Sequence, residues 1–214
     1  MATQSKRKKT KKSNFWASDA GKKTFVVLLG LIGLAGLIVI INGFNSRSPG
    51  ANSGVGADGF SVYQMPGADL GIVNVVKKPV VVSEFGDLVK QVDEVDKSGV
   101  VNYNGSKGQT ATYYLVTKHD TQGSFYVDVM EYPTQKAYDE ADVFNNTADA
   151  GKVQNLPARY MKAITIANER EYALLVSKGT KSYKFAFTQP FNKIKFDETT
   201  IQAILKRIAE KAQM

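Results

Sequence analysis

Lys181-Ser-Tyr-Lys-Phe-Ala-Phe-Thr188 alternates from Ser182 onward. Side chains along an extended chain point to opposite sides in turn, so Tyr183, Phe185 and Phe187 share one face and Lys184, Ala186 and Thr188 the other. One face therefore seeks a core and the other does not. Upstream, Phe125-Tyr-Val-Asp-Val-Met130 repeats the pattern, with Phe125, Val127 and Val129 inward and Tyr126 and Asp128 outward. Thr112-Tyr-Tyr-Leu-Val-Thr117 precedes it across a Gln122-Gly123 turn, which predicts a hairpin. Arg159–Ala167 and Glu171–Ser177 read as two more strands, and Lys178-Gly-Thr180 turns the chain into 182–188.

Between these strands the sequence predicts helices. Asp197 is placed to cap a C-terminal helix, with Phe196 and Ile201 as a hydrophobic staple. Ile201, Ile204, Leu205, Ile208, Ala209 and Ala212 follow its apolar stripe. Thr134 is expected to cap a second helix carrying Ala137, Ala141, Phe144 and Ala148, followed by a polar loop over 150–157. Ser83 is expected to cap a third, with Phe85, Leu88, Val89, Val92 and Val95. Gly71–Val76, Pro79–Val82 and Val100–Tyr103 read as strands. Strands outnumber helices and the connections are short, which implies antiparallel pairing. The expected class is α+β: an antiparallel β-sheet with packed helices, preceded by one transmembrane helix.

That transmembrane expectation rests on Phe25–Ile41, 17 residues without a charge or a strongly polar group. They rise roughly 25 Å as a helix, and residues 24–44 approach the thickness of a bilayer core. Lys6, Arg7, Lys8, Lys9, Lys11, Lys12, Lys22 and Lys23 precede the run, opposed only by Asp19. By the positive-inside rule this tail stays in the cytoplasm and the rest of the chain crosses. The same basic residues are placed to meet anionic lipid headgroups. A nuclear localisation signal is the competing reading of 6–12, but a topology determinant fits better beside an apolar span. A cleaved signal peptide is the competing reading of the span itself. Its apolar core exceeds the usual length of about 7–15 residues, and Asn42–Ser46 offers no small-residue cleavage site. The expected organisation is a basic cytoplasmic tail over 1–23, a transmembrane helix over 24–44, a flexible linker over 45–59 and an extracytoplasmic α+β domain over 60–214. The linker is rich in Gly, Ser and Asn, with nothing bulky to pack.

The formal charge of +8 is a property of the tail. Beyond residue 23 the chain has 20 basic and 19 acidic residues, so the domain lacks the basic footprint of a nucleic-acid binder. Absence of cysteine excludes disulfides, thiolate metal ligands and cysteine nucleophiles. No phosphate-binding loop is present, and no cofactor, metal or catalytic motif emerges. His119 beside Asp120 is the single candidate base, and a solvated hairpin end is the plainer reading of it. Asp93-Glu-Val-Asp96 and Asp139-Glu-Ala-Asp142 are acidic clusters expected on solvated helix faces.

Lys181–Pro190 followed by Thr200-Ile-Gln-Ala-Ile-Leu-Lys-Arg-Ile208 joins an aromatic strand to a C-terminal helix. In this, and in the order of strands over 70–210, the chain resembles the Mog1/PsbP-like α/β/α sandwich. The resemblance implies a binding or assembly module with no shared catalytic residues. With the basic tail and the spacer, it points to a bacterial-type, single-pass protein of the cell envelope. The expected partners are the membrane and other envelope proteins. The alternatives are a structural subunit of a secretion or division complex, and an envelope enzyme built on His119 or a carboxylate pair.

Overall fold

A computed structural model describes residues 61–166, 169–190 and 196–214, with the backbone of Gly54–Val55. One antiparallel sheet organises them. Its strands are β1 (Gly54–Val55), β2 (Ser61–Met65), β3 (Val89–Val92), β4 (Asp96–Lys97), β5 (Val100–Tyr103), β6 (Ser106–Thr117), β7 (Gln122–Glu131), β8 (Thr147–Val153), β9 (Leu156–Met161), β10 (Ile164–Ile166), β11 (Glu169–Lys178) and β12 (Lys181–Pro190). The main path runs β1-β2-β5-β6-β7-β12-β11-β9-β8. The long β6 also carries β3 and β4 on the side away from β7, and β10 pairs with β11. The helices are α1 (Ile72–Val75), α2 (Lys78–Phe85) with a 3-10 turn at Gly86–Leu88, α3 (Gln135–Glu140) and α4 (Glu198–Lys211).

The inward faces agree with the sequence pattern. Phe125, Val127, Leu174, Val176, Phe185 and Phe187 are fully buried and meet Phe85 of α2 and Ile201, Ile204, Leu205 and Ile208 of α4. The Phe85 ring lies 6.1 Å from Phe125 edge-on and 5.4 Å from Phe187. Burial of such side chains stabilises by roughly 1.5–3 kcal/mol each, so this layer dominates the fold. Asp197 caps α4 as expected, its carboxylate accepting from the Thr200 amide at 2.9 Å. Gln154, at the β8–β9 turn, closes the other end. Its side-chain amide donates to the carbonyls of Ala209, Glu210 and Ala212 at 2.8–3.0 Å. A helix end leaves such carbonyls short of backbone donors; the Ala209 carbonyl also accepts from the Ala212 amide at 3.3 Å.

Several expectations are corrected. The α+β class gives way to a mostly antiparallel β-sheet, with 49% strand and 24% helix among the described residues. Among the described residues no helix is long and apolar enough to cross a membrane. Residues 24–44, where the transmembrane helix was expected, lie outside the described residues, as do the basic residues of the tail. Within the expected linker, Gly54–Val55 pairs with β2.

Of the segments read as strands, Gly71–Val76 is helical over Ile72–Val75 and Pro79–Val82 lies within α2. Pro79 sits in the first turn of α2, where its missing N–H costs nothing, and packing of Val81 and Phe85 outweighs the β preference of valine. The helix expected over 83–95 ends at Phe85, because Gly86 leaves the helix with φ +49° and β3 pairs with β6. Thr134 does cap α3, accepting from the Ala137 amide at 3.1 Å, but α3 stops at Glu140. Phe144 and Ala148 therefore belong to no helix, and the expected polar loop at 150–157 is the β8–β9 hairpin, turned by Gln154 and Asn155 at φ +51° and +63°. The β6–β7 turn also moves. It lies at 118–121, with Asp120 at φ +58°, and Gly123 is inside β7.

Candidate functional site

The face of the sheet opposite α2 and α4 is polar, yet its centre is closed. Asp128 on β7 stands in register with Thr110 on β6 and with Lys184 on β12. Two residues along each strand, Tyr126 pairs with Ala186, which pairs with Ala173 on β11. The two alanines leave a low floor between taller neighbours. Lys184 lies across it and reaches Glu171, with Nζ donating to Oε1 at 2.8 Å and to the Tyr126 hydroxyl at 3.0 Å. The ammonium sits 5.1 Å from the Tyr126 ring centre. Tyr126 donates its hydroxyl proton to Glu171. Asp128 accepts from the Thr110 hydroxyl at 2.7 Å. Lys184, Glu171, Asp128 and Tyr126 are 5–7% exposed.

Burial and charge set the protonation of this network. Loss of solvation pushes the Asp128 carboxyl up to about 6, opposed by the Lys184 charge and the Thr110 hydrogen bond. The Tyr126 hydroxyl is held well above its ordinary value by burial, then by the Glu171 charge beside it. Tyrosinate is thus disfavoured, and the hydroxyl stays a donor.

The connection from β7 to β8 must pass three strands, since β12, β11 and β9 lie between. It does so on the polar face, at one end. Tyr138 of α3 shares a hydrogen bond with Ser177 of β11, and Tyr132 packs edge-on against Tyr138 with centroids 5.4 Å apart. Farther on, Arg159 of β9 sits over the Phe144 ring at 5.9 Å. Residues 132–146 therefore cover the face beside the Asp128–Lys184 row. At the other end the face opens. Tyr114 on β6 is 52% exposed, flanked by Ser124 on β7 and by Gln91 and Asp93 at the β3 edge. Ser124 is tied to Thr188 at 2.7 Å.

The residues singled out in the sequence do not converge. His119 is exposed in the β6–β7 turn, its ring 6.0 Å from Phe196. Asp120 beside it pairs with Lys90 at 2.7 Å. In the first acidic cluster Glu94 pairs with Lys78 and Asp93 accepts from Gln91 at 2.7 Å. In the second, Asp139 accepts from Gln135 at 2.8 Å and Glu140 lies 3.7 Å from Lys136. Among the described residues no three such groups gather to hold a metal ion. The buried network was missed because Asp128 and Lys184 fell on the side read as outward. A signal was present: opposite charges at outward positions of neighbouring strands, next to the small Ala186.

Comparison of the chain with protein-family models, with curated proteins and with solved structures returned no match.

Proposed function

We propose that the chain is a non-catalytic binding module of a cell envelope. The apolar run at 25–41 and its basic flank hold it at the membrane, and the domain lies on the extracytoplasmic side. The observation that carries the reading is Tyr114. A tyrosine half exposed in the interior of the longest strand, ringed by Gln91, Asp93, Gln122 and Ser124, is an aromatic anchor within a polar rim. Protein interfaces favour that arrangement, because the ring supplies contact area while its hydroxyl accepts a wet neighbour. The expected partner is another envelope protein. Tethering raises the effective concentration of the domain toward such a partner, so a modest patch suffices.

The test compares cross-linked membranes carrying the full chain or its Tyr114→Ser variant. Wild type is expected to capture a defined envelope protein that the equally stable variant loses. An identical capture profile from both would contradict the reading.

A further inference from the structure

The buried network contains two carboxylates and one ammonium. Lys184 is committed to Glu171 and to the Tyr126 hydroxyl, which leaves Asp128 with a neutral donor, Thr110. An unmatched buried charge is costly, and one proton removes it. Among the described residues the charged and titratable groups facing Asp128 are Lys184 from β12, Glu171 from β11 and Tyr126 from its own strand. Glu169 lies beyond Tyr126, and Arg159 ends the same cross-strand row from β9, already paired with Asp149 at 3.2 Å. The next row is Ser182 and Ser177, and Ser177 is the anchor of Tyr138. The charge state of the network is thus one step along the sheet from the segment that covers it.

We propose that this network is a proton-controlled latch: one proton on Asp128 keeps the polar face closed beneath residues 132–146, and its release to solvent loosens that segment. Loss of the proton leaves Lys184 between two carboxylates, pulled back from Glu171 toward its register partner Asp128. The hydrogen bonds that hold Lys184 flat across the alanine floor are then shared, and the strands under α3 lose their fixed arrangement. The raised carboxyl of Asp128 places the transition near pH 6. This inference rests on the network alone and holds wherever the domain sits.

The test uses the full chain in micelles, with carbon-13 in the aspartate carboxyls and hydrogen exchange on the amides. The Asp128 carboxyl is expected to titrate near pH 6. Protection factors over 132–146, corrected for intrinsic exchange, are expected to fall about tenfold or more from pH 5 to 7.5. The Asp128→Asn variant is expected to stay protected throughout. An Asp128 carboxyl titrating near the ordinary value of about 3.9 would overturn the proposal without any variant. So would a pH-dependent loss of protection that persists unchanged in Asp128→Asn.

Discussion

Replacing Lys184 by methionine tests how the closed face is held. The side chain keeps most of its length and loses its charge. Glu171, 5% exposed, then retains the Tyr126 hydroxyl and loses the ammonium 2.8 Å from its Oε1. Removing one partner of a buried ion pair costs about 3–5 kcal/mol, because the remaining charge stays out of water. Most of that range applies here, since Glu171 is buried and the Tyr126 hydroxyl is the donor it keeps. A domain of ordinary stability, about 5–15 kcal/mol, would lose a large fraction of it. The melting midpoint is expected to fall by about 10 °C, at about 2–4 °C per kcal/mol for a domain of this size. The double variant Lys184→Met, Glu171→Gln removes both charges. It is expected to recover at least about 2 kcal/mol relative to Lys184→Met, a coupling typical of buried charged neighbours. The assay is urea denaturation of all four members of the cycle, followed by near-ultraviolet circular dichroism of the tyrosines. A loss under about 1 kcal/mol for Lys184→Met, or additive single and double losses, would refute the reasoning, since those are the marks of an exposed pair.

Three further outcomes follow from the same packing. Asp128 has a raised carboxyl, so the folded chain binds its proton more tightly than the unfolded chain; the stability it supplies is complete below about pH 3.9 and is lost as pH rises through about 6. The gap between Asp128→Asn and wild type should therefore grow in favour of the variant by about 2 kcal/mol from pH 4 to pH 8, and denaturation series showing parallel profiles would contradict it. Gly123→Ala would set a Cβ 2.8 Å from the Thr188 carbonyl oxygen and 3.3 Å from the Phe187 ring, both in β12; thermal melts should show a loss of about 1–3 kcal/mol. Gln154→Ala removes three donations to the end of α4 and should cost about 1–2 kcal/mol, with faster amide exchange confined first to the last turn of that helix.

How much of this was legible in the sequence depended on the kind of signal. Strict alternation at 125–130 and 182–188 located β7 and β12 and the faces they bury, because a period of two leaves one face for the core. Asp197 and the stripe from Ile201 to Ala209 located α4, because capping and amphipathicity are local properties. The valine runs at 73–82 were misread. Apolar runs of that length carry no period, and their helical state is decided by contacts with α4 and the sheet. The segment 141–153 was misread for the opposite reason: Thr134 marked a real helix start, and nothing in the alanines that follow marks its end. The buried network needed register. Only once β7, β11 and β12 are aligned do Asp128, Glu171 and Lys184 become neighbours, and pairwise alignment of strands is a long-range fact. Tyr114 was one of many tyrosines until its exposure was known.

The chain lacks cysteine, so single introduced thiols report topology without background. Ser5→Cys in the basic tail and Lys152→Cys on the exposed side of β8 are to be treated with a membrane-impermeant maleimide, in intact cells and after permeabilisation. A module whose domain works outside the membrane should be labelled at position 152 in intact cells and at position 5 only after permeabilisation. Labelling at position 5 in intact cells, or protection of position 152 until the membrane is opened, would contradict it.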